Sequence, residues 1–519
     1  MVIGPQDGSS AAMGTADVAA GSRPVLQKPQ SFQRILGDWR QAEGALYARL
    51  ATALRTALVH GDIAPGMLLP PERSLAQILR VSRTTVVSAY RALREEGWLD
   101  SRQGSGHLVR HPQHAVPQPY VNSDVVKAMA RNPMLRPLSP QRSGAVDFSV
   151  SRQASIGPLL REVTLGRAAA LDDLPASSGY QPLGLAELRE AVARYVTGRG
   201  GLPTQPDQIL ITSGAQQAIW LVGQLYAPHG ERVVLENPTY PGAIDAFRML
   251  GAHIEPLPVH PDGFVLDGLG ALLKSARPRL VLVSPTCHAP TGLVMPHEQR
   301  LALVEQIDEH QVTLVDDQTM LDLLVGEDRP VALAQISPTA PILSIGSLSK
   351  LFWPGLRVGW IRAPQPIIEH LARLKAVADM GGSPIVQSIA AGLLDHADTV
   401  RQRRHQEITR SLDVLCEAMD RLLPDWTWRR PAGGLSFWAG LPAGTATEFA
   451  QVALLHGVTV VAGSALTSDG SGDDHVRLQF VQDSEAITLG VRRLAQAWQA
   501  YAGQRPARRP PAVALRGAG

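Results

Sequence analysis

Ser347-Leu348-Ser349-Lys350 is followed seven residues later by Arg357, inside Gly355-Leu356-Arg357-Val358-Gly359. A lysine amine condenses with an aldehyde, Ser347 and Arg357 can both reach a phosphate near that amine, and the flanking glycines admit close backbone approach. Only five lysines occur in the chain (28, 127, 274, 350 and 375), so one in this setting is informative. Ser213-Gly214-Ala215-Gln216-Gln217-Ala218 follows an apolar strand-like run and opens a helical pattern. Its free N–H groups and helix dipole point at an anion. Asp316 closes the run Val312 to Val315, where a carboxylate can keep a ring nitrogen protonated, and Tyr240 in Asn-Pro-Thr-Tyr-Pro-Gly offers a flat face for stacking. Amine, anion cradle, carboxylate and ring contact are the four groups that a pyridoxal phosphate site requires.

A second chemistry sits near the other end. From Ala45 to His111 there are nine arginines, no lysine and five acids, a local net of +4 in a chain whose total is +2. Ser82, then Arg83-Thr84-Thr85 and the apolar positions Val86, Val87, Tyr90 and Leu93, predict an N-capped helix closed by Gly97. A shorter helix from about Glu72 to Leu79 precedes it and carries Arg73. A hairpin from Trp98 to Val109 follows, with Gln103-Gly104-Ser105-Gly106 at its tip. This is a winged helix-turn-helix pattern. In it the third helix enters a major groove N-terminus first, so Arg83, Thr84 and Thr85 would face base edges and phosphates, Arg73 the backbone, and Gly104 a closely approached groove.

The elements that must position these residues fall into two domains. At 519 residues the chain exceeds one ordinary core. Leu46, Leu50, Leu54 and Leu58 recur every four residues and begin the smaller domain, 42–111. Prolines at 112, 117, 119, 133, 137 and 140 mark a linker over 112–145. Over 146–501 strand-like runs alternate with helical patterns, which predicts an α/β fold, a mainly parallel sheet flanked by helices. The tails 1–41 and 502–519 read as disordered.

With 45% hydrophobic and 18% charged residues the chain is neither wholly disordered nor collagen-like. No unbroken apolar run predicts a membrane span, and the N-terminus lacks the basic and apolar pattern of a secretory signal. Two cysteines, Cys287 and Cys416, make no disulfide framework, and the neighbours Cys287 and His288 have no further ligands at metal spacing, so no metal site is expected. A cytoplasmic location fits this usage.

The segment from Leu46 to Val109, with PPERSLAQ, VSRTTVVSAYRAL and GWLDSRQGSG in order, resembles the DNA-binding domain of GntR-type regulators. The resemblance implies that Arg73, Ser82, Arg83, Thr84, Thr85 and Gly104 meet double-stranded DNA. Roughly the last 350 residues resemble fold-type I aminotransferases, and the whole chain resembles MocR-type regulators. By that resemblance Lys350 binds pyridoxal 5'-phosphate as an imine, Gly214, Ala215, Gln216, Ser347 and Arg357 hold its phosphate, and Asp316 pairs with its pyridine nitrogen. Tyr180, in YQPLGLAELR, would reach the phosphate of a partner subunit, implying a homodimer, and Arg477 in VRLQF would hold a substrate or effector carboxylate.

Two positions depart from that family pattern. Ala289 stands before Pro290-Thr291-Gly292 where an asparagine is usual, and Gln318 follows the aspartate pair where a tyrosine is usual. Fewer donors to the cofactor's phenolic oxygen predict an imine that keeps its proton to higher pH, with Gln318 or His288 as replacement donors. The leading expectation is a transcription regulator sensing an amine, an amino acid or the cofactor itself. The alternatives are a working aminotransferase with a DNA-binding appendage, and a DNA-binding protein whose large domain only dimerises.

Overall fold

The computed structural model describes residues 36, 39–41, 44–59, 63, 68–102, 106–109, 145–151, 153–176, 178–260, 263–326 and 329–502. The chain divides into two compact units, 1–121 and 122–519.

In the smaller unit, α1 (Leu46–Val59) buries Leu50, Leu54 and Leu58. Leu46, the first member of the expected stripe, is 40% exposed. A short strand β1 (Leu68–Leu69) leads to α2 (Glu72–Leu79), and α3 (Arg83–Glu95) packs Val86, Ala89, Tyr90 and Leu93 into the same core. Between α2 and α3 the chain turns at Arg80, whose left-handed φ of 50° lets its N–H bond back to the last turn of α2. The hairpin is formed by β2 (Leu99–Arg102) and β3 (Gly106–Val109), with β1 on the far side of β3.

One boundary is corrected. Leu36 and Trp39, expected in a disordered tail, are buried in the core of this unit. The Arg40 guanidinium donates to the carbonyls of Leu79 and Arg80, capping the C-terminus of α2, and Arg49 donates to the Arg40 carbonyl at 2.8 Å. The fold therefore reaches upstream of residue 42. The segment is too short to show a helical period, which is why sequence patterning passed over it. The expected linker lies outside the described residues up to 144, as does the tail beyond Ala502.

The larger unit begins with β4 (Val146–Asp147) and is built on eight strands: β5 (Ile209–Thr212), β6 (Arg232–Asn237), β7 (His253–His260), β8 (Gly263–Phe264), β9 (Leu280–Val283), β10 (Thr313–Asp317), β11 (Ile342–Ser347) and β12 (Gly359–Arg362). Their order is β5-β12-β11-β10-β9-β6-β7-β8. The run from β7 to β11 is parallel, while β12 is antiparallel to both β11 and β5, and β8 to β7. β5 and β9 are buried along their whole length, which fits a sheet covered on both sides.

One face carries α4 (Ala215–Tyr226), α5 (Pro241–Met249) and a later helix through Ile368 and Leu371, packed on Val233, Leu235, Leu282, Val315 and Ile345. The other face carries α6 (His297–His310), packed on Val234, Val283, Leu314 and Ile342. After the sheet come α7 (Gln365–Asp379), α8 (Pro384–Leu394) and the long α9 (Ala397–Leu422). A C-terminal lobe adds a four-stranded antiparallel sheet from β13 (Thr427–Trp428), β14 (Ser436–Gly440), β16 (Val461–Ala462) and β17 (His475–Gln479). There β15 (Val458–Thr459) pairs with β4, and α10 (Ser484–Ala502) closes the lobe. Among the described residues no helix is long and apolar enough to cross a membrane.

Candidate cofactor site and nucleic-acid interface

The cradle begins where β5 ends. Gly214 caps α4 with φ 116°, a conformation that glycine alone adopts freely, and a Cβ there would stand 3.1 Å from Arg357 Nη2. The guanidinium of Arg357, itself at left-handed φ 51°, thus lies over the N-terminus of α4. Gly359 is held just as closely, since a Cβ on it would meet Gly346 O at 2.8 Å and Gly214 Cα at 2.9 Å. Ser347 Oγ donates to Val358 O at 3.2 Å and lies 3.0 Å from Ser349 Oγ, which ties the end of β11 to the loop carrying Arg357. Gln216 donates to Gly242 O at 2.8 Å, and its Oε1 is buried with no partner. Gly214, Ala215, Ser347 and Arg357 therefore converge on one cationic, donor-lined cradle.

Lys350 follows this cradle. Loss of water around its amine lowers its proton affinity, Arg477 and Arg357 lower it further, and Asp317 pulls it back up. A lysine so depressed has more of its amine free to attack a carbonyl. Two residues that sequence patterning missed fix the surrounding loop. Gln153 donates to Lys350 O at 2.7 Å. Arg404, on α9 and 1% exposed, donates to Leu351 O, Phe352 O and Ala154 O at 2.8–2.9 Å.

Consecutive residues of a strand face opposite ways, and this separates the two aspartates. Asp317 shares the face of Val315, towards α5 and its capping residue Tyr240. It acts electrostatically on both Lys350 and Tyr240. Asp316 shares the face of Leu314, towards α6, where it accepts from Gln318 Nε2 at 2.8 Å beside the buried Arg300. Asp317 thus acts on Lys350, while Asp316 on the other face keeps its Oδ1 buried and without a hydrogen-bond partner.

Burial raises the Asp317 carboxyl above its ordinary range, hydrogen bonds from Thr319 oppose this, Glu236 adds to it and Lys350 reduces it. Burial likewise pushes the Tyr240 phenol up to about 12. Asp317 adds to that shift, and Arg357 and Arg477 reduce it. Arg477 on β17 is 9% exposed and donates to Ser149 O at 3.0 Å. Tyr180 is 62% exposed.

Of the two expected replacement donors, Gln318 is bonded to Asp316. His288 is fully buried, with Nδ1 2.7 Å from Thr291 Oγ1 and Nε2 3.3 Å from Glu236 Oε2.

The set fits pyridoxal phosphate: a buried lysine of lowered proton affinity, a glycine-lined cradle under a guanidinium, a buried carboxylate and an aromatic ring occur at one place. When bound, the cofactor would supply an electron sink for chemistry at an amino carbon. The chain would supply the phosphate grip of Ser347 and Arg357 and a carboxylate of the Asp316-Asp317 pair.

In the smaller unit Ser82 caps α3, its Oγ accepting from Thr85 N at 3.1 Å and lying 2.7 Å from Thr84 Oγ1. Ser82, Arg83, Thr84 and Arg73 are exposed and Thr85 is half-buried. Their helix is anchored by Tyr90, whose OH donates to Pro70 O at 2.9 Å. On the wing, His107 Nε2 lies 3.0 Å from Glu72 Oε1 and its ring meets Tyr90 edge-on. Gly104 lies outside the described residues.

A winged helix-turn-helix unit, followed by a fold-type I aminotransferase unit with its lysine, cradle and carboxylate in place, defines a two-part protein of DNA-reading and cofactor-binding type. The chain belongs to the aminotransferase class I and II family, which it matches over residues 161–494, and residues 46–109 match the bacterial regulatory proteins of the gntR family. It is 29% identical over 492 residues to the HTH-type transcriptional regulator YisV of Bacillus subtilis, covering 89% of this chain and 98% of that one. It is 28% identical to the HTH-type transcriptional regulator TauR of Rhodobacter capsulatus over 88% of this chain and 97% of that one. Among solved structures it is similar to LysN, the α-aminoadipate aminotransferase of Thermus thermophilus, in complex with N-(5'-phosphopyridoxyl)-L-leucine. There the TM-score is 0.66 and the identity 29%, over 74% of this chain and 98% of that one.

Proposed function

We propose that this chain is a cytoplasmic DNA-binding transcription regulator whose larger unit holds pyridoxal phosphate on Lys350 and senses an amine, an amino acid or the cofactor itself. The observation that carries the reading is the placement of Lys350 amid Asp317, Arg357 and Arg477, in a chain that also has an exposed, capped helix bearing Arg83 and Thr84. Arg73, Ser82, Arg83, Thr84, Thr85 and Gly104 form the nucleic-acid contact, phosphates positioning and base edges specifying. Arg477 takes the effector's carboxylate. Two copies associate, with the exposed Tyr180 reaching the phosphate of its partner.

The reading is tested on purified protein incubated with pyridoxal phosphate, followed by footprinting with and without candidate amino acids. Wild type should bind the cofactor with a visible absorption band, Lys350→Ala should lack it, and one amino acid class should change the footprint of wild type alone. A colourless wild type, or a footprint that no amine or cofactor alters, sinks the reading. A second reading is an active aminotransferase with a DNA-binding head. It is supported by Arg477 beside Lys350, and robust steady-state transamination would put it first.

A further inference from the structure

Asp379, the last residue of α7, gathers three donors: Lys375 Nζ at 2.5 Å and Gly381 N at 2.9 Å on Oδ1, and Gln217 Nε2 at 2.6 Å on Oδ2. Gln217 in turn accepts the N–H of Ser213 on its Oε1 at 2.8 Å, so one bond chain runs from α7 into the mouth of the cradle. Lys375 is 1% exposed, and its hydrogen bond helps hold this carboxylate below the ordinary aspartate range.

The loop that starts at Asp379 also grips a second segment. Gly381, at φ 121°, sits where a Cβ would lie 2.6–2.9 Å from the backbone of Gln181. Gln387 donates to Gly382 O at 3.0 Å and accepts Leu185 N at 2.8 Å. Residues 181–185 are the continuation of Tyr180. The anion cradle and the Tyr180 segment therefore share one support, centred on Asp379.

We propose that Asp379 is a positioning residue that couples phosphate occupancy of the Ser213–Gln217 cradle to the placement of Tyr180, so that cofactor binding tightens the pairing of two copies. The proposal rests on the reading of Lys350 as a cofactor lysine in a dimer. An order in the cradle is passed through Gln217 to Asp379, then through Gly381 to Gln181, all by direct contacts. Linkage makes the effect reciprocal, and dimer formation raises cofactor affinity by the same factor.

Asp379→Asn is nearly isosteric and breaks the chain at a defined link. Its oxygen can still serve Lys375 and Gly381, but its amide nitrogen then faces Gln217 Nε2, donor against donor. If Gln217 turns over to relieve this, its own amide faces the Ser213 N–H. Sedimentation velocity with and without pyridoxal phosphate, on full-length holoprotein and apoprotein, reads the coupling directly. In wild type the cofactor should lower the dimer dissociation constant by about tenfold. In Asp379→Asn that ratio should fall close to one, while a cofactor absorption band persists at raised cofactor concentration.

Gln217→Met, which leaves Asp379 with its lysine, should show the same loss and serves if the first variant is unstable. Equal cofactor dependence in wild type and both variants, or none in a wild type that binds the cofactor, overturns the proposal. A wild type that binds no cofactor overturns the underlying reading instead, before any variant is compared.

Discussion

Asp317 acts electrostatically on Lys350, whereas its neighbour Asp316 faces the opposite side of the sheet and accepts from Gln318 beside Arg300. A carboxylate that holds a protonated ring nitrogen makes a charge-assisted hydrogen bond, and removing that charge costs about 1.5–3 kcal/mol. Asp316→Asn should therefore weaken pyridoxal phosphate binding by about ten- to a hundredfold. Asp317→Asn, which alters a neighbour of Lys350 and not the ring-nitrogen contact, should cost less. Fluorescence titration of both variants decides which aspartate the ring nitrogen meets, and the opposite ranking would overturn the Asp316 assignment.

Burial raises the Asp316 carboxyl to about 6, opposed by its hydrogen bond from Gln318 and by Arg300. The sign follows from proton binding. Between the ordinary aspartate range and pH 6 the folded state keeps a proton that the unfolded state has lost, so stability falls as pH rises. Asp316→Asn has no such loss. Relative to wild type, the variant should gain about 2 kcal/mol of stability between pH 4 and pH 7. Denaturant midpoints of the two proteins across that interval measure the difference, and parallel curves would exclude this linkage.

A methyl at Gly359 would press on backbone from two directions, Gly346 O and Gly214 Cα, neither of which can rotate away. Gly359→Ala should cost about 1–3 kcal/mol of stability. It should also displace Gly214 from Arg357, so weaker retention of the cofactor after dialysis should accompany the lower melting temperature.

Ser82 and Arg83 adjoin but should fail in different ways. Ser82→Ala removes the acceptor for Thr85 N and should lower the stability of the smaller unit by about 1 kcal/mol. Arg83→Ala should leave stability unchanged and weaken DNA binding, with a salt dependence shallower by about one unit if the lost contact is to phosphate. An unchanged slope with relaxed sequence preference would place Arg83 on a base edge.

Sequence patterning reached much of this site because the strongest signals are local. The cap at Ser82, the α2 span Glu72–Leu79 and the leucine stripe of α1 each follow from spacing within a few residues. Lys350, Ser347, Arg357 and Gly214 were legible as short motifs. What escaped depends on contacts far apart in the chain. What surrounds each aspartate of the pair depends on the strand's facing, Arg404 reaches the Lys350 loop from over fifty residues away, and the antiparallel C-terminal sheet is assembled partly from two-residue strands too brief to pattern. Gln318 and His288 could be proposed as substitutes for missing donors. Only their bonds to Asp316 and proximity to Glu236 show where each side chain goes.

The brace of Leu36, Trp39 and Arg40 begins ten residues before the gntR-family similarity starts at residue 46. A head excised at that similarity boundary would bare the greasy patch these residues cover and leave the end of α2 without its guanidinium seal. Such a fragment should clump and melt early, so the portable form of this reader starts farther upstream than its kinship suggests.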